Sequence, residues 1–92
     1  DNLTVSSGLV TVDTSGSNTA VTINSGTSLS SDLTVTSGTG TITLNGTVDG
    51  GNDLILNTTG TADINGVIGG GTPLLSLTTN AGGTTEISTS IT

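Results

Sequence analysis

The chain has 92 residues and a net charge of −7, and it contains no Lys, Arg, His, Cys, Met, Phe, Tyr or Trp. Without His, Cys or Lys there is no Ser–His–Asp or Cys–His nucleophile, no Schiff base and no thiolate or imidazole metal site, so the expectation is a protein that is not an enzyme. An acidic chain with no cation and no aromatic ring offers neither a phosphate-binding surface nor a base-stacking platform, which argues against nucleic acid as a partner.

Thr (22), Gly (15), Ser (12) and Asn (8) dominate, and the only large apolar residues are ten Leu, seven Ile and seven Val. Such low hydrophobicity with uncompensated charge borders on the composition of disordered chains. The distribution argues for order instead: the aliphatic residues alternate with Thr and Ser, and clusters of Gly, Asn and Asp separate them, a strand-and-turn pattern. Frequent Gly and the lack of a 3.6-residue apolar period exclude helices. No apolar run approaches the roughly 20 residues of a membrane span, so no membrane insertion is expected. No charged segment leading into an apolar one marks a signal peptide, and Asp1 reads as the start of a mature or excised segment.

In chain order, strands are expected at Leu3–Val5, Val10–Val12 and Val21–Ile23, in a first stretch (residues 1–27) that is less regular than the rest of the single domain. From residue 28 onward the chain cycles. Asp32-Leu33-Thr34-Val35, Asp53-Leu54-Ile55-Leu56 and Pro73-Leu74-Leu75-Ser76-Leu77 form one family, with Leu33, Leu54 and Leu75 each 21 residues apart. A second family follows each of them: Thr41–Gly46, Thr61–Gly66 and Thr84–Ser88, with an earlier copy at Ala20–Gly26. A third, shorter family contains Leu29, Val48, Ile68 and Ile91.

A unit of 20–23 residues holding three short strands is one rung, or turn, of a parallel β-solenoid. The predicted fold class is therefore all-β, a parallel β-solenoid (right-handed β-helix) with three short strands per rung. Alternation points Leu33, Val35, Ile42, Leu44 and Val48 inward and Thr34, Thr43 and Thr47 outward. Stacking then builds aliphatic ladders: Leu33–Leu54–Leu75, Ile23–Leu44–Ile64–Ile87 and Val48–Ile68–Ile91. Asn24, Asn45 and Asn65 occupy one place after the second strand and are expected to stack about 4.8 Å apart with hydrogen-bonded amides, Asn45 belonging to an inward ladder. The Asn-Gly pairs at 45–46 and 65–66 suggest turns that need a positive φ, and Gly50-Gly51 and Gly69-Gly70-Gly71 mark return corners. Pro73, just ahead of a strand, removes no mid-ladder hydrogen bond.

Over roughly residues 29–92, the string DLTVTSGTGTITLNGTVDGGNDLILNTTGTADINGVIGG resembles the secreted filamentous haemagglutinin-like exoproteins and the passenger regions of autotransporter adhesins, which carry long arrays of Gly-, Thr-, Asn- and Ser-rich rungs. What the resemblance implies is a secreted right-handed β-helix used for adhesion or surface structure.

Several residues invite a chemical reading. Asp32 and Asp53 stack in adjacent rungs with Asp49 near the same corner, and two like charges about 5 Å apart repel by roughly 1 to 3 kcal/mol, which a bridging calcium ion would relieve. The string Asp49–Leu54 resembles one partial copy of the RTX calcium nonapeptide; the competing reading is a solvated acidic corner. Asp63 and Glu86 form a second outward acidic pair. No carboxylate pair is accompanied by an Arg or aromatic residue to hold a sugar, so glycoside cleavage is not expected and no catalytic residue is assigned. Sequons begin at Asn2, Asn45 and Asn57, of which Asn2 and Asn57 are the candidate glycosylation sites.

Ser90-Ile91-Thr92 reads as the third strand of a rung and Asp1–Val5 as the first strand of the next. The expected partner is the chain itself, either as a head-to-tail homopolymer or as one period of a longer repeat polypeptide, since heterologous contacts that do not close make filaments. The functional expectation is a non-catalytic extracellular or cell-surface structural protein, a β-solenoid filament or stalk for scaffolding or adhesion, without a cofactor other than the calcium considered above. A chain that lacks Lys and Arg offers trypsin-like proteases no site, which fits that location. Two alternatives are a ligand-binding segment of a large secreted adhesin that contacts surface glycans, and a β-sandwich pilin completed by donor-strand exchange.

Overall fold

The computed structural model describes residues 2–5, 8–80 and 82–92, with the backbone alone at Asn2. All of its regular elements are strands: β1 (Asn2–Val5), β2 (Val10–Asp13), β3 (Val21–Ile23), β4 (Gly26–Leu29), β5 (Leu33–Thr36), β6 (Ile42–Leu44), β7 (Val48–Asp49), β8 (Asp53–Asn57), β9 (Thr61–Ile64), β10 (Ser76–Asn80) and β11 (Thr84–Ile87). They form three parallel sheets, ordered β1-β4-β7, β10-β8-β5-β2 and β11-β9-β6-β3, here called sheets A, B and C. Sheet A is extended by single bridges from Val48 to Ile68 and from Ile68 to Ile91. The chain visits A, B and C in turn for about four rungs, a parallel β-solenoid with three strands per rung. This architecture replaces the β-sandwich alternative.

Inward and outward positions alternate along β5, β6 and β8 as the pleat demands. Val35, Ile42, Leu56, Ile64 and Ile68 are fully buried, and with Leu33, Leu44, Val48, Leu54 and Ala62 they form one continuous aliphatic core. So narrow an interior closes over a few side chains per rung, which is how a chain with little apolar content orders itself. The pairs Ile23–Leu44, Leu44–Ile64 and Ile64–Ile87 are in register along sheet C.

Three details depart from the sequence reading. Leu33 pairs with Leu54, but Leu54 pairs with Leu77 and not with Leu75, which stands at a corner and is 74 % exposed. The corner through Gly69–Pro73 is longer than its counterpart one rung earlier: Asp49 Oδ1 accepts from the Gly71 and Thr72 amides and Gly50 N donates to Thr72 O, so the strand restarts at Ser76. The column through Val48, Ile68 and Ile91 continues into Thr27 and Leu3, not Leu29. Finally, β1 belongs to sheet A, the sheet that also holds Ile91. An immediate tandem copy would therefore meet sheet A where sheet B is due, contrary to the expectation that Asn2–Val5 opens a rung directly after Thr92.

Candidate functional site

The polar groups most specific to this chain sit at the corners, where they stitch successive rungs together. Just after β3, β6 and β9 of sheet C, Asn45 Nδ2 donates to Asn24 Oδ1 (2.7 Å) and Asn65 Nδ2 donates to Asn45 Oδ1 (2.9 Å). This amide ladder is exposed, so Asn45 is on the surface and not in an inward ladder. The adjoining Gly46 and Gly66 lack a positive φ, unlike Gly50 (124°) and Gly69 (76°). They are glycines for another reason: a Cβ on either would overlap the backbone of the rung below, at Ser25 and Gly46 respectively.

At the A-to-B corner the carboxylates are already engaged. Asp32 Oδ1 accepts the Asp53 amide (2.9 Å), Asp53 Oδ1 accepts the Ser76 hydroxyl (2.7 Å), and Asp49 Oδ1 accepts the Gly71 amide (2.7 Å). Each acid thus points to a donor in the following rung. Asp32, Asp49 and Asp53 are not drawn together as a ligand set, and among the described residues no group of three acidic side chains converges in a way that could hold a metal ion. On sheet C, Asp63 lies opposite Glu86 on the outward face.

The B-to-C corner carries polar groups the sequence reading missed. Ser37 is fully buried and its hydroxyl donates to Gly40 O (2.6 Å); the buried Thr58 hydroxyl donates to the same carbonyl (2.6 Å) and accepts from Gly60 N (2.9 Å). A Ser or Thr directly after β2, β5 and β8 (Thr14, Ser37, Thr58), with a glycine close behind, was the available signal. In the first rung, Asn18 holds a φ of 54° and its Oδ1 accepts the Thr39 amide of the next rung. Asp13 Oδ1 accepts both the hydroxyl (2.6 Å) and the amide (2.9 Å) of Ser15, and these bonds, the hydroxyl first, hold the exposed Asp13 carboxyl below its ordinary 3.8.

The two sequon residues fare differently. Asn57 lies half-buried on sheet B, its Nδ2 directed at Thr36 Oγ1 (3.4 Å) and its Oδ1 buried without a partner. The Asn2 side chain lies outside the described residues.

The remaining distinctive surfaces are the two ends of the rod. At one end β1, β2 and β3 each have an unpaired edge, over the inward residues Leu3, Val10, Val12, Val21 and Ile23. At the other end, among the described residues, β10, β11 and Ile91 have a strand partner on one side only, over Leu77, Thr79, Thr85, Ile87 and Ile91. There the inward columns that carry Leu56 and Ala62 finish in Thr79 and Thr85, whose hydroxyls meet at 2.9 Å. A cavity of about 210 Å³ opens at this place, lined by Leu56, Thr58, Ala62, Thr79, Gly82 and Thr85 among others. No protein-family model, curated protein or solved structure matches the chain.

Proposed function

We propose that this chain is a non-catalytic structural protein of the extracellular space or cell surface, a β-solenoid rod that lengthens into a filament or stalk by stacking at its ends. The observation that carries this reading is the pair of open ends: among the described residues, every sheet finishes at both ends in a parallel strand or bridge with a strand partner on one side only. Unpaired edges invite further strands unless charge, proline or a covering element blocks them; one acid lies in an edge strand at each end, Asp13 in β2 and Glu86 in β11, and among the described residues no element covers either end. Solenoids gain stability from each added rung interface, so stacking extends the favourable interaction already present within the chain.

The corner chemistry supports a scaffold role. Amide and carboxylate-to-amide ladders use polar residues to hold rung to rung, and the outer faces bear Thr and acidic residues that keep a long rod hydrated. Adhesion, as in the haemagglutinin-like and autotransporter proteins the repeat resembles, is the use proposed for such a surface.

Sedimentation and electron microscopy of the purified chain across a range of concentrations test the reading. Unbranched rods that lengthen with concentration and diffract at about 4.8 Å along their axis are expected. Monomers at every concentration would overturn it, and surface labelling of intact producing cells checks the location.

A further inference from the structure

Among the described residues the chain opens and closes on the same face of the rod. Its eleven strands and the bridge positions Ile68 and Ile91 make thirteen segments, which give sheet A five levels and sheets B and C four each. Copies stacked face on like face therefore cannot fit. A shift of four rungs sets β1 on the level that Ile91 occupies, and a shift of five leaves sheets B and C one level short. Each end is a helical ramp with a one-strand step, which begins with β1 at one end and finishes with Ile91 at the other. The exposed aliphatic residues lie along these ramps: Leu3 and Leu9 on the first, Leu75, Ile87 and Ile91 on the last. The two most exposed, Leu9 (69 %) and Leu75 (74 %), occupy the same corner at opposite ends, each just ahead of a sheet B strand.

We propose that two copies of this chain join end to end with a turn of one face in three, so that β1 of one copy lies on β10 of the other, β2 on β11 and β3 on the Ile91 segment. The inference rests on the filament reading and adds its partner and its geometry. The two one-strand steps then coincide, and the ramp runs on without gap or collision: the sheet A strand of the incoming copy takes the place where a fifth sheet B strand is due. Over three copies every column receives thirteen levels, five from an A face and four each from a B and a C face. The faces can substitute for one another because each presents the same width to the core. In the second rung every face buries two alternate residues: Thr27 and Leu29, Leu33 and Val35, Ile42 and Leu44.

Side chains and charge agree with this seating. The first inward position of each face is marked by the columns that hold Leu3 and Ile91, Val10 and Leu77, and Val21 and Thr85. Matching first positions across the joint sets Leu3 over Leu77, Val10 over Thr85, Val12 over Ile87 and Val21 over Ile91. The terminal cavity, which Thr84 and Thr85 help to line, then lies beneath Leu9 and Val10 of the incoming copy. The corner after β2 is longer than the one after β11 that it meets, and its surplus residues form the exposed turn in which Ser17 N and Thr19 N donate to Thr14 O. Neither edge acid meets another described acid: Glu86 faces Thr11 and Asp13 faces Ser88. A chain of charge −7 can therefore add copies without stacking these carboxylates at the seam.

Cysteine pairing at the exposed Thr4, Thr11 and Thr78 tests the turn, since the native chain has no cysteine. In the double variant Thr4→Cys with Thr78→Cys the two positions lie on different faces and at least about 14 Å apart in one molecule, beyond disulfide reach, whereas across the joint they are directly opposed at about 4.8 Å. Oxidation is expected to give a ladder of covalent multimers. Thr11→Cys with Thr78→Cys shares one column within the chain, three rungs apart, and is opposed between copies only where sheet B stacks on sheet B, so it is expected to give none. Electron microscopy of the native rods gives a second, independent reading: each copy is expected to rise by about 21 Å, four and one-third strand spacings, while turning through a third of a revolution, with the axial repeat completed every three copies. Rods in which the Thr4 pair fails to cross-link, or the Thr11 pair links as readily, or successive copies repeat without that turn, would overturn the joint and leave stacking intact. The absence of any self-association in the native chain would overturn both.

Discussion

Gly66 lies so close to Gly46, one rung away, that a Cβ on Gly66 would overlap the Gly46 carbonyl group. Neither residue has a positive φ, so what is required here is space between stacked backbones. Gly66→Ala is therefore expected to cost at least about 2 kcal/mol, because the obstacle is backbone and cannot swing aside. Gly51, with open space around its Cβ position, serves as the control: Gly51→Ala should stay within about 0.5 kcal/mol of the native chain in urea unfolding.

Two buried threonines should respond in opposite directions to the same substitution. The Thr58 hydroxyl donates to Gly40 O and accepts from Gly60 N; Thr58→Val leaves Gly60 N without its acceptor, while Gly40 O keeps the Ser37 hydroxyl, and is expected to cost about 1–3 kcal/mol. The Thr27 hydroxyl oxygen is buried with no partner, inside a column otherwise made of Leu3, Val48, Ile68 and Ile91. Thr27→Val keeps the shape and removes the unsatisfied group, and a gain of about 1 kcal/mol is expected in the same assay.

Asp32 acts as an acceptor for the Asp53 amide and stands beside the Asp53 charge. Asp32→Asn retains an acceptor oxygen and removes the like-charge contact, so stability should hold or rise by about 0.2–1 kcal/mol, while Asp32→Ala should lower it. Millimolar calcium should leave the native unfolding midpoint unchanged, because the carboxylates point at backbone and hydroxyl donors in successive rungs. A calcium-dependent rise in the midpoint that Asp32→Asn abolishes would refute this account.

Acid should release the Asp13–Ser15 turn. The folded Asp13 carboxyl lies below its ordinary 3.8, so its contribution is complete above 3.8 and is lost as pH falls through the lowered folded value. NMR titration of Asp13 should show the midpoint rising toward 3.8 in Ser15→Ala, which removes the hydroxyl donor. An unchanged midpoint would assign the shift elsewhere.

The solenoid was legible because its cause is local and repeated. Alternation of aliphatic with Thr along 33–36 and 42–44 assigns faces strand by strand, and the recurring Asn24, Asn45 and Asn65 announce a stacked corner whose amides do pair. A period repeated along a chain specifies stacking without any knowledge of distant contacts, since each rung meets only its neighbours.

What lay beyond the sequence was decided by register between rungs. The strict spacing of Leu33, Leu54 and Leu75 pointed to Leu75, but hydrogen bonds from the Gly69–Pro73 corner to Asp49 and Gly50 shift the strand and place Leu77 on the core. Similarly, Thr27 displaces Leu29 from the Val48 column although Leu29 is the better apolar match. The sequence by itself therefore determined the repeat, the inward faces and the lack of Lys, His and Cys, because these follow from residue type and spacing. Only the tertiary structure decided which residue stands over which, and hence that Leu9 and Leu75 share a corner at opposite ends, because corner length and backbone pairing act between residues a full rung apart.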